Sequence, residues 1–328
     1  MPRIPLILLL AALLLPPPHE MKSAPVTPGA LLVSARAVPL DSGDPAVRQA
    51  GALPFLGGWV LHSQDPHFGG ISSMLMQPDG SILGLSDSGT LMGFSLSPGN
   101  RRQFIAPLPT RPSERDWPSW KWDSESMVHD PQSGRYWVGF ELIQRICRYA
   151  PGFARVEACR GWPEIQAWPE TGSIEAMVRL KDGRFLAFSE MGFGPHGGND
   201  VLLFAGDPTE KATPHPRHLA YHPPQGYHPT DAVQLPDGSL IVLNRRVTLH
   251  EGFTAVLVRI TLPPFKEGAQ LASKPLARLA PPLLADNFEG LALSQEKGRT
   301  VLWVISDDNH QFFERTLLLK FALPDRWD

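Results

Sequence analysis

The sequence predicts an all-β fold, a β-propeller of five or six four-stranded blades whose ring is closed by an N-terminal strand. One pattern recurs along the 328 residues: a small or acidic residue, a short apolar run, a turn and a second apolar run. The five copies begin at Ser72, Glu125, Glu175, Asp231 and Glu289. Intervals of 50 to 58 residues between these starts are typical of propeller blades. The 35 prolines and 29 glycines also favour many short strands joined by turns.

The apolar runs within each copy predict the strands. The second copy shows four of them, at Met127–His129, Tyr136–Phe140, Arg145–Tyr149 and Arg155–Cys159. The fifth copy has a third strand at Leu317–Leu323, after which the chain ends, so we expect Phe55–Leu61 to supply its outermost strand. Five copies predict five blades, or six if residues 31–60 and the long connections contain another. A β-sandwich with an irregular repeat is the alternative fold.

The composition excludes several classes of protein. Hydrophobic residues make up 42% of the chain and charged residues 19%, which excludes a disordered chain. The 30 lysines and arginines against 33 acidic residues give a net charge of −3. The chain therefore lacks the excess of basic residues that binds a nucleic-acid backbone. We expect a monomer with no nucleic-acid partner.

The N-terminus has the features of an export signal. Arg3 is followed by the apolar stretch Leu6–Leu15, which is shorter than the roughly 20 residues that a membrane-spanning helix needs. No clear small-x-small cleavage site precedes Pro25, so residues 1–24 are either a signal peptide or an uncleaved anchor. We expect residues 25–328 to form a single periplasmic or secreted domain that contacts the membrane only through the N-terminal segment. A buried helix of the mature fold is the alternative for this stretch.

The two cysteines, Cys147 and Cys159, predict one disulfide. They lie in the third and fourth predicted strands of one blade, about equally far from the turn between those strands. Facing positions on adjacent antiparallel strands are close enough to be bridged. The compartment beyond the inner membrane is oxidising, which would preserve the bond. Two reduced, buried thiols are the alternative.

Acidic residues recur at two places in the repeats. In a blade, the first strand begins and the second strand ends at the same end of the ring, because the two strands are antiparallel. We therefore expect nine carboxylates at one entrance of the central channel: Asp87, Glu125, Glu141, Glu175, Glu190, Asp231, Glu289, Asp307 and Asp308. Carboxylates this close need a cation or raised pKa values. An oxygen-only set predicts Ca²⁺, with Mg²⁺ as the other candidate. The alternative is a set of acids that only accept backbone N–H groups in turns.

The fourth copy places two arginines, Arg245 and Arg246, where the other copies have acids. They indicate an anionic group on the ligand, or a structural arginine–glutamate pair across the channel. We expect Glu289 and Asp307 to act as ligands or as the general base, and the arginines to stabilise developing charge. His228 is expected at the same entrance, as a base or as a satisfied polar residue. No G-x-S-x-G motif occurs, which disfavours a serine hydrolase of that type.

Several segments of the repeats carry a resemblance to a known family. They are Trp122–Met127, Gly139–Glu141, Gly172–Met177, Tyr227–Ala232, Leu243–Arg246, Asp286–Gly290 and Ile305–Asn309. In order and spacing they resemble the bacterial phytase-like family, labelled "esterase-like activity of phytase". The resemblance implies a secreted or periplasmic β-propeller with hydrolase activity, by analogy to calcium-dependent propeller phytases. The chain departs from the family pattern at Ser72, where an acid is expected, and at Gln144–Cys147, where relatives have His-Arg-Ile-Trp.

Two functions follow. The first is a calcium-dependent hydrolase of phosphate or carboxylate esters, with a small anionic ester as substrate and the acidic entrance as its site. The second is a non-catalytic propeller of the cell envelope that binds a ligand or a protein partner, with the acids and the metal serving the structure.

Overall fold

The computed structural model describes residues 26–96 and 103–324. In these ranges the chain forms 23 strands, arranged in five sheets. The helices of the described ranges are single turns, at Pro112–Glu114, Ser119–Lys121, Pro151–Phe153 and Pro163–Gln166. The predicted β-propeller is confirmed, and the described residues form five blades. The β-sandwich alternative is excluded.

The first three blades follow a short N-terminal region. That region contains β1 (Ser34–Ala37), β2 (Gln49–Ala50) and β3 (Leu53–His62). The first blade consists of β4 (Ile71–Met76), β5 (Ile82–Ser86), β6 (Thr90–Phe94) and β7 (Phe104–Pro107). The second consists of β8 (Ser124–His129), β9 (Tyr136–Phe140), β10 (Arg145–Tyr149) and β11 (Val156–Gly161). The third consists of β12 (Ile174–Arg179), β13 (Phe185–Phe193), β14 (Asn199–Phe204) and β15 (Arg217–Tyr221).

The fourth and fifth blades complete the ring. The fourth contains β16 (His228–Gln234), β17 (Leu240–Thr248), β18 (Gly252–Ile260) and β20 (Ser273–Leu279). The short strand β19 (Gln270–Leu271) pairs in parallel with β15 of the third blade. The fifth blade contains β21 (Phe288–Glu296), β22 (Arg299–Ser306) and β23 (Leu317–Ala322).

The fifth sheet combines strands from the two ends of the described chain. β3 pairs antiparallel with β23, with Val60 opposite Leu317. β1 then pairs with the outer edge of β3, and β2 forms a short pair with the start of β3. Residues 31–60, which the sequence left open as a sixth blade, therefore belong to the fifth sheet.

The innermost strands β4, β8, β12, β16 and β21 pack side by side around the central axis, and β21 contacts β4. The second strands behind them are buried on both faces, as in β9, where every side chain is buried. Apolar side chains fill the space between neighbouring blades. For example, Phe188 and Val201 of the third blade share one core cluster with Val242 and Val258 of the fourth. This packing explains the continuous apolar runs of the second strands.

The antiparallel pairing of first and second strands defines one end of the ring as the mouth. In the second blade, Ser124 at the start of β8 lies opposite Phe140 at the end of β9. The mouth is the end where the innermost strands begin, where the second strands end and where the third strands begin. The turns between first and second strands lie at the opposite end.

The predicted disulfide is confirmed. Cys147 of β10 lies directly opposite Cys159 of β11, with 4.0 Å between their Cα atoms, and the two sulfur atoms are bonded. The bond joins the two outer strands of the second blade. The signal peptide or anchor predicted for residues 1–24 lies outside the described residues. No helix in the described ranges has the length and apolar character needed to cross a membrane.

Candidate functional site

A one-residue bulge near the start of each innermost strand shapes the site. In β8, Ser124 pairs with Phe140 and Ser126 pairs with Gly139, so Glu125 between them has no cross-strand partner. The same step in register occurs in the other four innermost strands, at Ser72, Glu175, Thr230 and Glu289. A bulge redirects its extra side chain away from the regular alternation of the strand. Five equivalent positions are thereby presented at the mouth, and three of them are glutamates.

The bulge glutamates meet acids from the strand ends. One carboxylate oxygen from each of Asp123, Glu125 and Glu141 lies within 4.8 Å of the others. A second group with the same spacing consists of Glu141, Glu175 and Glu190. Glu141 belongs to both groups and is held in place, since it accepts the backbone N–H groups of Gly172 and Ser173. We call these five residues the acidic cluster.

Burial and mutual repulsion act on the acidic cluster together. Burial raises the pKa of Asp123 to about 9, and contact with Glu141 adds to the rise. Burial, followed by the charge of Asp123, raises the pKa of Glu125 well above its usual range. Burial and then the charge of Glu190 have the same effect on the pKa of Glu175. These carboxylates can all ionise at neutral pH only when a positive charge compensates them.

Two further acids border the acidic cluster. Burial raises the pKa of Glu289 to about 7, and the positive charge of Arg245 limits the rise. Burial, together with the charges of Glu289 and Asp87, raises the pKa of Asp307 well above its usual range. The carboxylate of Asp307 also accepts the N–H of Asn309 at 2.6 Å. The structure thus places these acids in one electrostatic group with the acidic cluster.

Arg245 supplies a positive charge beside these acids. Its guanidinium lies 2.9 Å from a carboxylate oxygen of Glu190 and 3.0 Å from one of Glu289, and it donates to Asn287 Oδ1 at 2.7 Å. Asn287 in turn donates to Glu289 at 3.0 Å. Burial lowers the pKa of Arg245, but the nearby carboxylates raise it by more, so the group stays charged. Arg245 therefore links the third and fifth blades across the mouth.

Arg246 is directed elsewhere, although the sequence placed it with Arg245. It forms an ion pair with Glu251 at 2.6 Å and lies over the ring of Tyr227, 4.6 Å from its centroid. Glu251 also pairs with Arg278. Adjacent residues of a strand point to opposite faces, so only one of two neighbouring arginines reaches the acids.

Asp231 has a structural role in the ring. Its two carboxylate oxygens accept backbone N–H groups, from Ala232 at 2.8 Å and from Leu291 of the next innermost strand at 2.6 Å. The bulge position of the fourth blade is Thr230, one residue earlier. Ser73 occupies the equivalent place in the first blade and accepts the N–H of Met127 at 3.1 Å. This position joins neighbouring innermost strands.

The spacing of the turn glycines in the sequence indicates that the bulge residue of the fourth blade is Thr230 and not Asp231. The bulge residue lies eight positions before the turn glycine in the first, third and fourth blades, as from Ser72 to Gly80, from Glu175 to Gly183 and from Thr230 to Gly238. Aligning the copies on their acids instead selected Asp231.

Asp308 and His228 lie at the mouth with contacts to the protein itself. Asp308 accepts the N–H of Gly70 at 3.0 Å and the hydroxyl of Thr316 at 2.8 Å, which ties two loops together. His228 Nδ1 lies 3.2 Å from the backbone oxygen of Glu190 and donates to it. His228 therefore borders the acidic cluster through the backbone of Glu190.

Gly70 shows how closely the loops approach the site. Its φ is +60°, and a Cβ there would lie 2.9 Å from Asp87 Oδ1. A side chain at this position would displace Asp87, so glycine is required for both conformation and space.

The family follows from a comparison over most of the chain. The model of the phytase-like family, described as "Esterase-like activity of phytase", matches residues 66–310. The chain belongs to this family. The resemblance seen in the repeat segments is thereby confirmed, and the five bulges and the acidic cluster lie within the matched residues. No curated protein matches the phytase-like chain.

Solved structures with similar folds are distant. PQQ-bound aldose sugar dehydrogenase from Streptomyces coelicolor shares 15% identity, with a TM-score of 0.43 over 90% of this chain and 99% of that chain. A protein of unknown function from Dyadobacter fermentans shares 11%, with a TM-score of 0.44 over 83% and 99% of the two chains. The PQQ domain of pyranose dehydrogenase from Coprinopsis cinerea shares 10%, with a TM-score of 0.39 over 77% and 94%. At these scores no conclusion about the site follows.

Sequence reasoning missed two members of the site in this phytase-like protein. Asp123 lies two residues before Glu125 and has a positive φ of 38°, a conformation that non-glycine residues rarely adopt. Asn287 lies two residues before Glu289 and bonds it. An Asp-x-Glu and an Asn-x-Glu pair at the same place in two copies was the available signal.

The donor set of the acidic cluster fits a hard cation. All five side chains offer carboxylate oxygens, the ligands that calcium and magnesium prefer. Ser72, at the bulge position of the first blade, is 1% exposed, and its hydroxyl has no hydrogen-bond partner among the described residues. The hydroxyls of Ser126 and Ser173, outside the acidic cluster, are also buried without a hydrogen-bond partner in the described ranges, so the fit to a cation rests on the carboxylates.

Proposed function

We propose that this phytase-like protein is an exported, calcium-dependent hydrolase of phosphate or carboxylate esters. The observation that carries the proposal is the pair of carboxylate groups that share Glu141, with oxygens within 4.8 Å of one another. Calcium takes six to eight oxygen ligands in flexible geometry, whereas magnesium demands a near-ideal octahedron and keeps several waters. A cluster of five carboxylates therefore suits calcium better.

The electrostatics support a bound cation. Burial and neighbouring carboxylates raise the pKa values of Asp123, Glu125 and Glu175. Protons and a divalent cation compete for such a cluster, and the cation replaces the protons at neutral pH. Asp123, Glu125, Glu141, Glu175 and Glu190 would hold it.

The residues around the acidic cluster have separate tasks. Calcium, when bound, would polarise the ester oxygen and acidify a water molecule. Arg245, fixed by Glu190 and Glu289, would bind the anionic group of the substrate. Glu289, with a pKa of about 7 and oriented by Asn287, would accept a proton from the attacking water at a carboxylate oxygen. Asp307 borders this base and would orient the same water.

The second candidate function is a non-catalytic propeller of the cell envelope. The observation that favours it is the ion pairing of Arg245, which already bonds Glu190 and Glu289 within the protein. In this function the acids and the cation stabilise the ring, and the mouth binds a ligand without turnover.

Thermal unfolding with and without calcium tests the cation site. A ligand at 100 times its Kd stabilises the folded state by about 2.7 kcal/mol, a measurable rise in the unfolding midpoint. We expect calcium to raise the midpoint above that in EDTA, and magnesium to raise it less. Equal midpoints in calcium and EDTA would refute the cation site.

Turnover separates the two functions. We expect calcium-dependent hydrolysis of p-nitrophenyl phosphate or p-nitrophenyl butyrate, and its loss in Glu289→Gln with folding intact. Glu296→Gln is the matched control, because Glu296 lies at the far end of the same strand and pairs with Lys320. Calcium stabilisation without turnover of either ester class would favour the binding protein.

A further inference from the structure

Large apolar side chains are exposed mainly at one end of the propeller. Of the nine that are exposed in the described ranges, seven lie at the mouth, in connections or at the ends of second strands. We call these seven the rim residues: Trp120, Met191, Phe193, Val247, Leu249, Phe312 and Phe313. Trp120 belongs to the connection before β8. The others lie at the ends of β13 and β17 and in the connections that follow β17 and β22. Single exposed apolar residues are common on proteins, but segregation of most of them to one end is not.

The opposite end provides an internal comparison. Its turns between first and second strands contain the pairs Asp79-Gly80, Ser133-Gly134, Asp182-Gly183, Asp237-Gly238 and Lys297-Gly298. Of the two remaining exposed apolar residues of the described ranges, Leu56 lies in β3 toward this opposite end, next to Phe55, which pairs with Phe321 at the end of β23. Leu32 lies just before β1, which begins opposite His62 at the mouth-side end of β3. The two ends of the ring thus differ in polarity.

The chain also enters the described structure from the mouth side. Gly29 forms an antiparallel bridge with Ile105 of β7, and β7 runs toward the mouth. The segment that leads to Gly29 therefore runs away from the mouth, and Val26 lies on the mouth side of the bridge. The apolar stretch Leu6–Leu15 precedes Val26 in the sequence, with residues 16–25 between them. Ten residues span at most about 36 Å, so an anchored N-terminus would hold the mouth toward the membrane.

We propose that the mouth of the propeller docks onto a phospholipid bilayer through the rim residues. Trp120 and the phenylalanines are side chains that favour the membrane–water interface. Lys121 is the neighbour of Trp120 and lies 4.0 Å from the ring of Trp117, which adds a cation to the rim. The carboxylates beneath are recessed, with Glu141, Glu175 and Glu289 each exposed by less than a tenth. The bilayer surface would meet the apolar rim before it met the acids.

A fluorophore placed at single sites of the full chain tests this orientation. Cys147 and Cys159 are joined in the disulfide, so Leu249→Cys or Leu56→Cys introduces one free thiol for an environment-sensitive dye. Leu249 is fully exposed at the mouth, whereas Leu56 is 51% exposed toward the opposite end of the fifth sheet, where its neighbour Phe55 pairs with Phe321 at the end of β23. The N-terminal segment is present in both proteins, so any attachment that it provides is the same.

Vesicles of phosphatidylcholine, alone or with phosphatidylglycerol, are then added. We expect a blue shift of the dye at position 249 and no shift at position 56. The shift at 249 should be lost when Phe193→Ser, Phe312→Ser and Phe313→Ser are combined, while attachment of the chain to vesicles is unchanged. Equal spectra at the two positions, with or without a shift, would overturn the proposal. A shift at 249 that appears without vesicles as protein concentration rises would also overturn it, because a second copy would then cover the rim.

Discussion

The carboxylate of Asp231 accepts the backbone N–H of Leu291 at 2.6 Å, and this bond joins the innermost strands of two adjacent blades. An innermost strand has a free edge toward the channel, so its N–H groups need partners from a neighbouring blade. Ser73 makes the equivalent bond to Met127 with a hydroxyl. In these two blades the position after the bulge joins neighbouring innermost strands, whereas the glutamates at the bulge positions of the second and third blades belong to the acidic cluster.

Asp231→Ala is therefore expected to destabilise the protein without affecting the cation site. The variant leaves the buried N–H of Leu291 unpaired, which costs about 1–3 kcal/mol of unfolding free energy. Urea unfolding measures this loss. Ser73→Ala is the matched control and should cost less, because the Ser73 hydroxyl accepts one backbone N–H group whereas the Asp231 carboxylate accepts two. If Asp231→Ala abolished the stabilisation by calcium, Asp231 would be a ligand after all.

Removal of Arg245 should be far more costly than removal of its neighbour. Arg245→Gln leaves Glu190 and Glu289 buried without their partner, and breaking a buried ion pair costs roughly 3–5 kcal/mol. Arg246→Gln breaks a single pair with Glu251, whose side chain is 31% exposed against 13% for Glu190 and 11% for Glu289, and should cost about 1 kcal/mol or less. Urea unfolding in EDTA compares the two. The difference in unfolding free energy between the two variants should shrink in acid, where Glu289 is protonated. Equal losses at neutral pH would contradict the role assigned to Arg245.

Without metal, the protein should become less stable as the pH rises. The folded pKa values of Glu289 and Asp123 are about 7 and about 9, above their ordinary values of 4.5 and 3.8. Between these limits the folded state binds more protons than the unfolded state, so the free energy of unfolding falls from about pH 4 to about pH 9. Urea midpoints in EDTA across this range measure the slope.

Calcium and one variant check the origin of this dependence of the unfolding free energy on pH. Calcium should flatten it, because a cation replaces the protons that the acids lose. Asp123→Asn should make the slope shallower over the whole range from about pH 4 to about pH 9, because Asp123 is protonated in the folded state and ionised in the unfolded state between these limits. A profile in EDTA that rises with pH would show that the acids are ionised in the folded protein without a cation.

Reduction of the disulfide should destabilise the second blade. Cys147 and Cys159 are separated by 12 positions, and closing a loop of this length stabilises a protein by roughly 3 kcal/mol. We expect dithiothreitol to lower the unfolding midpoint of the wild type. The double variant Cys147→Ala/Cys159→Ala should have the lower midpoint with or without reductant. A wild-type midpoint unaffected by full reduction would contradict this contribution.

The repeat period and the turn glycines were sufficient to predict the fold, because each blade is built from local hairpins. The facing cysteines were predictable for the same reason. The direction of individual side chains was harder to predict from the sequence. The bulge shifts the acid-bearing position by one residue, which separates Thr230 from Asp231, and strand alternation separates Arg245 from Arg246. These differences depend on register, which composition and spacing of acids do not encode.

The place of Asp123 in the acidic cluster could be known only from the conformation of the loop before β8. Its carboxylate reaches the bulge glutamate through a left-handed backbone conformation in the loop before β8. A loop conformation of this kind follows from the packing of the loop and has no periodic pattern.

Because β3 pairs with β23, the fifth blade can form only after β23 has been synthesised. Val60 pairs with Arg36 on one edge of β3, but on the other edge it has no partner until the ribosome adds Leu317, 257 positions later. Until then β3 and β22 each present an unpaired edge, the kind of surface that aggregates or is cut by proteases. A chain interrupted anywhere before Leu317 cannot hide these edges. Cellular quality control can thus distinguish finished from unfinished molecules by whether the strands of the fifth sheet are paired.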